Sequence, residues 1–242
     1  TIPASFDTIQ SNATKEAGIQ AGFKQVILLQ EPIAASLAYA NMKKEKEMQD
    51  GQWLVYDLGG GTFDVALIEI KNGEMKVLDH EGNNFLGGAD FDRMIVEKFL
   101  IPKITEQYSF SSLEDDMKSA SGKYNAKYYV LLRRAEEAKI LLSAKSSADI
   151  VIDGFEDEDG NEVDMEVTIT RSEFNELIKP SIDSTTDMIK KILTNKSFKA
   201  VDIQFTLMVG GRTYILYVRQ RVDEILQIPS TCEIDPTTAI AI

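Results

Sequence analysis

Residues 55–64 read Val55-Tyr56-Asp57-Leu58-Gly59-Gly60-Gly61-Thr62-Phe63-Asp64. The apolar residues on either side of the glycines predict two strands joined by a tight turn. Glycine can take positive φ and has no Cβ, so the N–H groups of such a turn can converge on a phosphate. Thr62 adds a hydroxyl donor, and Asp57 ends the incoming strand, where it can hold a hydrated Mg²⁺. The stretch therefore predicts a phosphate-binding hairpin, with a merely flexible turn as the alternative.

The residues around this turn predict an antiparallel meander. Its three strands are expected at Trp53–Asp57, Phe63–Ile70 and Met75–His80, and Asn72-Gly73 between the last two is a strong hairpin signal. A strand rather than a helix leads away from the glycines, and no Gly-Lys-Ser/Thr follows them, so the turn is not a Walker loop.

The rest of the chain mixes both kinds of element and predicts the α/β or α+β class. Helices are expected at 7–22, 33–39, 90–106, 113–142, 170–193 and 214–226, with another beginning at Pro236. Further strands are expected at 26–29 and 205–209, and a second hairpin at 149–170 around the acidic, solvated turn 156–161. Residues 43–50 are expected to be a solvated connection.

Two more glycine pairs support a nucleotide or phosphate site. Gly87-Gly88 precedes a predicted helix, and Gly210-Gly211 joins a predicted strand to one. Backbone amides at a helix start attract anions. A plain turn is the alternative for each pair taken alone.

Composition excludes several classes of function. The 242 residues carry a net charge of −13, which argues against nucleic-acid binding. One cysteine and one histidine exclude an internal disulfide and a Cys/His zinc site. No apolar run reaches the ~18 residues of a membrane span. These features predict a cytoplasmic protein, and the apolar residues at both ends predict a piece cut from a longer fold.

Several segments together resemble the seventy-kilodalton heat-shock chaperones of the DnaK type. The sequence of the glycine hairpin is similar to the second phosphate motif of the actin, sugar-kinase and heat-shock ATPases. The other segments match the chaperones in order and spacing, and the resemblance covers nearly the whole chain. Its segments are Ile2–Phe6, Ala13–Gly18, Glu31–Ala35, Leu86–Asp92, Ala135–Ser143 and Val209–Gly211.

The resemblance implies the second two-thirds of an ATPase domain with the actin-like, ribonuclease H-like fold. Residues 1–40 would end the first lobe, 41–91 and 173–242 would form the base of the second lobe, and 92–172 its α+β insertion. ATP or ADP with Mg²⁺ would bind between the lobes.

The resemblance also implies roles for particular residues. The β- and γ-phosphates would meet Gly59, Gly60, Gly61 and Thr62, while Asp57 and Glu31 would hold Mg²⁺ through water and position the attacking water. The other nucleotide-binding positions would be Gly87, Gly88, Glu136, Lys139, Ser143, Gly210, Gly211, Arg212 and Tyr214. Pro3 and Glu31 would relay the nucleotide state to a peptide-binding domain. Helical spacing independently puts Glu136, Lys139 and Ser143 on one face, although a solvated Glu–Lys pair gives the same spacing.

Some positions depart from the family pattern. Arg212 stands where the family has a serine, Tyr214 where it has the arginine that stacks on adenine, and Leu216 where it has proline. Ser11 stands in place of the relay arginine. Adenine can still stack on the flat face of Tyr214 or Arg212.

The first hypothesis is therefore a monomeric ATP-dependent chaperone. The complete protein would hydrolyse ATP to gate unfolded peptides, assisted by a J-domain co-chaperone and a nucleotide-exchange factor, as part of the stress response. This chain alone would hydrolyse no ATP. The alternative is a non-catalytic relative that serves as a nucleotide-binding or co-chaperone interaction module. A sugar or acetate kinase fits the segments less well.

Overall fold

The computed structural model describes residues 1–42 and 50–231. Their strands are β1 (Gly51–Leu58), β2 (Phe63–Lys71), β3 (Glu74–Asn83), β4 (Ser147–Glu156), β5 (Glu162–Thr170) and β6 (Ile203–Val209). Their α-helices are α1 (Thr8–Gln20), α2 (Glu31–Met42), α3 (Gly88–Ile95), α4 (Ile101–Gln107), α5 (Leu113–Lys118), α6 (Asn125–Ala144), α7 (Arg171–Asn195) and α8 (Leu216–Leu226). A π-helical turn, Val96–Leu100, joins α3 to α4. The chain divides into a first unit of Thr1–Gly87 with Ile182–Ile242 and a second unit of Gly88–Ser181.

The first unit is built on a mixed four-stranded sheet in the order β3-β2-β1-β6. β1 is antiparallel to β2 and parallel to β6, and β2 is antiparallel to β3. The predicted meander is therefore confirmed. Asn72 and Gly73 both have positive φ, 52° and 79°, which is the left-handed pair that a two-residue hairpin turn requires.

Helices cover the sheet of the first unit. Tyr39 of α2 packs against Trp53 and Phe205, with ring centroids 5.6 and 4.7 Å away. From the part of α7 that belongs to this unit, Thr185 Oγ1 is 2.8 Å from the buried hydroxyl of Tyr56. The burial of these rings and of the apolar faces of β1 and β2 drives the assembly of the unit. Because both strands of the β1–β2 hairpin belong to this core, packing holds the hairpin in place.

The second unit packs α3–α6 and the hairpin of β4 and β5. The predicted hairpin is confirmed, but its acidic turn is not simply solvated. Asp157 is only 2% exposed, and its carboxylate accepts hydrogen bonds from the backbone N–H groups of Ser109, Asp159 and Asn161 and from the Asn161 side chain, at 2.7–3.1 Å. The turn is organised around this carboxylate because a buried carboxylate must be fully hydrogen-bonded.

The helix predicted at 170–193 is confirmed as α7, and Thr170 caps its start. Thr170 N–H and Oγ1 donate to the Glu173 carboxylate at 2.8 and 2.7 Å, and Glu173 N–H donates back to Thr170 Oγ1 at 3.2 Å. These reciprocal bonds satisfy donors that the first turn of α7 would otherwise leave unpaired.

Two local predictions are wrong. Residues 26–29 form no strand: Ile2 N–H donates to the Leu29 carbonyl oxygen, but the bridge of Ile2 is to Gln30, the residue after this stretch. The predicted helix 113–142 is interrupted at Ser119–Tyr124, where the chain folds back so closely that a Cβ on Gly122 would lie 1.8 Å from the Asp116 carbonyl oxygen. The helix predicted at 7–22 is confirmed as α1, although none of its residues is buried. The connection 43–49 and the helix predicted at Pro236 lie outside the described residues.

Candidate functional site

The glycine hairpin ends in an open tip. Gly59 N–H donates to Thr62 carbonyl oxygen at 3.0 Å and closes the turn, while Leu58 and Phe63 on either side are fully buried. Gly60 and Gly61 are exposed, and a Cβ on either would meet no atom within 4 Å. None of the three glycines has positive φ, so the expectation that positive φ shapes this turn is wrong. The glycines instead leave the backbone of the tip exposed to solvent, with no side chain in the space beside it.

The second glycine turn lies directly against this tip. A Cβ on Gly87 would stand 2.4 Å from the Gly61 nitrogen and 2.6 Å from the Gly60 carbonyl carbon. Real Cβ atoms do not approach backbone so closely, so any other residue at position 87 would displace the hairpin. Gly87 is required by packing within the first unit.

The third glycine turn lies against the base of the same hairpin. Gly210 has φ 82°, and a Cβ there would be 2.3 Å from the Leu58 carbonyl oxygen and 2.6 Å from Asp57 Oδ1. This position therefore needs glycine both for its backbone conformation and for its close approach. The three glycine motifs, found separately along the sequence, meet around one hairpin.

Three carboxylates gather beside the hairpin. Asp57 lies at the end of β1, Glu31 is the first residue of α2, and Asp64 is paired with Asp57 across the two strands. Burial, together with the negative charges of Glu31 and Asp64, raises the pKa of Asp57 to about 7. Burial and the Asp64 charge likewise raise the pKa of Glu31.

Asp64 is the site residue to which the sequence analysis assigned no role. Burial raises its pKa, although Ser5 N–H donates to its Oδ1 at 3.3 Å. Gly82 of β3 leaves room for the same oxygen, since a Cβ there would lie 2.8 Å from it. The signal was present in the motif, because a hairpin that pairs Leu58 with Phe63 must also pair Asp57 with Asp64.

These carboxylates do not make a direct metal cage. Within residues 1–42 and 50–231, no group of three His, Cys, Asp or Glu side chains is arranged to hold a metal ion by itself. The coupled charges of Glu31, Asp57 and Asp64 nevertheless attract a cation, and Mg²⁺ characteristically keeps several of its waters. The geometry therefore fits a hydrated ion better than a stripped one.

Pro3 and Glu31 each lie one residue beyond the bridge from Ile2 to Gln30. Ile2 N–H donates to the Leu29 carbonyl oxygen at 2.9 Å, and Glu31 N–H donates to the Ile2 carbonyl oxygen at 2.8 Å. Backbone hydrogen bonds thus link the start of the chain to the start of α2. They connect the segment that contains Pro3 to Glu31, one of the three carboxylates.

The predicted adenosine face of α6 lies in the second unit with Gly88. Lys139 is 2% exposed, and its Nζ lies 2.6 Å from Oδ1 and 2.7 Å from Oδ2 of Asp92. It also donates to the Gly88 carbonyl oxygen at 3.0 Å. Glu136 and Ser143 are half-buried. The alternative of a solvated Glu–Lys pair is therefore wrong for Lys139.

Arg212 and Tyr214 lie in a single 3₁₀ turn, Gly211–Tyr214, that follows β6 in the first unit. Thr213 between them is buried, and its Oγ1 donates to the Gly210 carbonyl oxygen at 2.8 Å. Arg212 is half-buried, whereas Tyr214 is 42% exposed. The turn thus presents the tyrosine ring to solvent beside the third glycine pair.

No helix in the part of the chain that the structure describes is long and apolar enough to cross a bilayer.

Comparison with known proteins gives a consistent result. The Hsp70 protein family matches residues 1–242. The chain is 38% identical over 242 residues to the chaperone protein DnaK of Mycoplasmopsis pulmonis (strain UAB CTIP), and 37% identical over 242 residues to that of Thermosipho africanus (strain TCF52B). In both comparisons the whole of this chain matches 38% of the relative's length.

These matches and the mixed α/β architecture define a protein of the actin-like ATPase fold class. Within that class, the chain belongs to the Hsp70 family. It spans well under half the length of the DnaK chaperones that it matches.

Proposed function

We propose that this chain is the nucleotide-binding part of an ATP-dependent molecular chaperone. The complete protein binds ATP or ADP with Mg²⁺ and hydrolyses ATP to gate the binding and release of unfolded peptides. The observation that carries this proposal is the meeting of three glycine turns around one hairpin that ends beside Asp57. Membership of the Hsp70 family supports it.

On the phosphate side, Gly59, Gly60, Gly61 and Thr62 bind the β- and γ-phosphates. The tip amides are exposed, and no side chain occupies the space beside Gly60 and Gly61. Gly87 and Gly210 brace the hairpin by direct contact, so its donors are oriented before a ligand arrives. Such preorganised donors stabilise the charge that develops on a phosphoryl group in the transition state.

On the metal side, Asp57 and Glu31 hold Mg²⁺ through its waters. The ion, when bound, neutralises phosphate charge and keeps Asp57 ionised. Both carboxylates have raised pKa values because they share a partly buried site with Asp64. An adjacent cation offsets the cost of ionising these carboxyls and so lowers their pKa values again. As ionised acceptors, they orient the attacking water.

On the nucleoside side, the face of α6 with Glu136, Lys139 and Ser143 binds adenosine, as do Gly88 at the start of α3 and Gly211 in the turn after β6. The exposed ring of Tyr214, or the guanidinium of Arg212, stacks on adenine. This arrangement replaces the stacking arginine of the family pattern.

The regional assignment follows the same proposal. Residues 1–40 end the first lobe, 41–91 and 173–242 form the base of the second lobe, and 92–172 its insertion. Pro3 and Glu31, linked through the Ile2 bridge, relay the nucleotide state. The complete protein acts as a cytoplasmic monomer with unfolded peptides, a J-domain co-chaperone and a nucleotide-exchange factor as partners.

The test uses the full-length protein with a fluorescent unfolded peptide. We expect ATP to accelerate peptide release, while ADP does not, and we expect phosphate to be produced at a rate that Glu31→Gln lowers at least tenfold. Asp187→Asn, in an exposed ion pair with Lys190, is the matched control and should leave both rates unchanged. Nucleotide binding without phosphate production in wild type would instead support the non-catalytic interaction module.

A further inference from the structure

A cavity of about 490 Å³ opens in the second unit between the start of α6 and the hairpin of β4 and β5. That volume is in the range of small-molecule sites. Its polar and aromatic lining consists of Lys123, Tyr124, Lys127, Phe155, Glu156 and Glu162. Lys127 and Lys139 are about 18 Å apart along α6, at ~1.5 Å per residue. The cavity is therefore separate from the face of α6 that is proposed to bind adenosine.

The side of the cavity at α6 presents hydrogen-bond donors. The Tyr124 hydroxyl is buried, and within the described residues no atom accepts its proton in a hydrogen bond. Lys123 lies over the Tyr124 ring, with Nζ 4.8 Å from its centre, but an ammonium has donors only and cannot accept that proton. Tyr124 also precedes α6, whose first turn has no acidic residue, so the helix start favours a negative group. This side of the cavity therefore lacks an acceptor.

Lys127 adds an ammonium that reaches the hairpin. Its Nζ lies 3.1 Å from the position that a Cβ on Gly154 would occupy. Gly154 has φ 77° and lies where the register of β4 against β5 shifts between Ile152 and Phe155, so this bulge leaves the space that the lysine uses. Lys127 is half-buried, and the ion pairs of the second unit join other residues. Within residues 1–42 and 50–231, no carboxylate therefore pairs with this charge.

The hairpin side of the cavity presents carboxylates. Glu156 and Glu162 are paired residues on β4 and β5, and like charges directly opposite each other destabilise a sheet. Lys123 partly offsets the first of them, since contact with the Tyr124 side chain, and then the charges of Glu156 and Glu158, raise the pKa of its ammonium. Glu162 takes part in none of the ion pairs of the second unit, whose residues are all described. This side of the cavity therefore lacks a cation.

We propose that this cavity binds a molecule in which a carboxylate and an ammonium are joined by a short aliphatic chain. Lys127 and the Tyr124 hydroxyl donate to the carboxylate, and Glu162, together with Glu156, accepts from the ammonium. The aliphatic chain lies along the rings of Tyr124 and Phe155, whose centres are 5.7 Å apart. A free ω-amino acid and the C-terminal lysine of a peptide both have this chemistry.

Simpler ligands fit the charges of the cavity less well. A phosphate or another plain anion would satisfy Lys127 but would face the charges of Glu156 and Glu162. A plain amine would satisfy these carboxylates but would leave the Tyr124 proton without an acceptor. A molecule with both groups satisfies both sides and leaves the net charge of the cavity unchanged.

The experiment compares three probes of similar length in a ligand-observed NMR titration of the full-length protein: 6-aminohexanoate, hexanoate and hexylamine. We expect 6-aminohexanoate to bind about fivefold more tightly than either of the others, since one exposed ion pair contributes up to about that factor. Lys127→Met and Glu162→Gln should each remove this advantage, and Tyr124→Phe should weaken binding of 6-aminohexanoate by a smaller factor. Lys179→Met and Glu166→Gln, which change exposed residues of the same unit, are the matched controls and should leave it unchanged.

A tripeptide of two glycines and a final lysine distinguishes the two sources of the ligand. If the tripeptide binds with a free carboxyl group and not as its C-terminal amide, the site recognises the ends of peptides. If 6-aminohexanoate binds and the tripeptide does not, the site recognises free ω-amino acids. Either result supports the proposal.

Other results overturn it. Hexanoate or hexylamine binding as tightly as 6-aminohexanoate would mean that one side of the cavity has no role in recognition. A failure of all three probes to bind would mean that the cavity holds no ligand of this class. Thermal unfolding of each variant separates weaker binding from a loss of folding. Because Glu162 is exposed, Glu162→Gln should fold like wild type, and its affinity for 6-aminohexanoate decides the question even if Lys127→Met does not fold.

Discussion

Asp57 and Asp64 are paired residues on the two antiparallel strands of the glycine hairpin, one step below Leu58 and Phe63. The turn that exposes the backbone of Gly60 and Gly61 thereby also brings two carboxylates together at its base. Glu31 adds a third charge, and burial together with these charges raises the pKa of Asp57 to about 7. The hairpin thus couples open backbone donors to a cation-attracting group, the two components that a phosphate site with a metal requires.

The raised pKa of Asp57 predicts a stability cost in the free protein. Because the folded state favours the protonated carboxyl, it binds more protons than the unfolded chain between pH 3.8 and about 7. The contribution of Asp57 to the free energy of unfolding therefore falls as pH rises through that window, and it is constant at higher pH. We expect Asp57→Asn to be more stable than wild type by about 1 to 3 kcal/mol at pH 8 and equal to it below pH 4. Denaturant unfolding at a series of pH values, without Mg²⁺ or nucleotide, measures this.

The control for that series is Asp187→Asn, whose side chain is 70% exposed. It should change stability by less than about 0.5 kcal/mol at every pH. Asp57→Asn proving less stable than wild type at pH 8 would show that burial does not disfavour the charged form.

Gly210 and Gly160 allow the close approach of the third glycine turn to be tested separately from its backbone conformation. Their φ values are 82° and 81°, but a Cβ on Gly160 meets nothing within 4 Å. We expect Gly160→Ala to cost about 1 kcal/mol from the left-handed backbone alone. Gly210→Ala should cost about 2 to 4 kcal/mol, because its Cβ also collides with Leu58 and Asp57. Equal losses in thermal unfolding would mean that the packing against the hairpin is unimportant.

Gly61 and Gly87 should separate binding from folding. A Cβ on Gly61 meets no neighbour, so Gly61→Ala should leave the free energy of unfolding within about 0.5 kcal/mol of wild type while lowering ADP affinity of the full-length protein tenfold or more. Gly87→Ala should lower the melting temperature clearly, because its Cβ would overlap the hairpin backbone. Calorimetric binding and thermal unfolding of both variants provide the comparison, and unchanged ADP affinity in Gly61→Ala would count against ligand contact at the tip.

Asp157 should act in the opposite direction on pH. The hydrogen bond from the Asn161 side chain, followed by backbone N–H groups, lowers the pKa of Asp157 below its usual value. Stability from this carboxylate is therefore present above its unfolded pKa and is lost as pH falls through the lower folded value. We expect Asp157→Ala to increase amide exchange at Ser109, Asp159 and Asn161 at pH 7, with little further change on acidification. Protection of these amides equal to wild type would contradict this account of the turn.

The sequence was most informative where a local rule decides the structure. Asn72-Gly73 fixed one hairpin, and the capping residues Thr170 and Glu173 fixed the start of α7. The family resemblance, now shown over the full length of the chain, also carried the fold class.

What the sequence could not reveal depends on contacts between distant residues. Each glycine pair taken alone fitted an ordinary turn as well as a phosphate site, and only tertiary packing shows that Gly87 and Gly210 touch the same hairpin. The pairing of Asp92 with Lys139 carried no local signal, because the two residues are 47 positions apart in the sequence. Residues 26–29 have the composition of a strand, but they lack a ladder to join beyond the bridge at Ile2.

The most direct test of the central claim is ADP binding by the full-length protein with and without Mg²⁺, in wild type and in Asp57→Asn. If the glycine hairpin and Asp57 form the phosphate and metal site, Mg²⁺ should strengthen ADP binding in wild type. In Asp57→Asn, the gain in ADP affinity on adding Mg²⁺ should be at least tenfold smaller, while the affinity without metal stays nearly unchanged. An identical dependence on Mg²⁺ in both proteins would place the metal, and with it the phosphates, somewhere other than this hairpin.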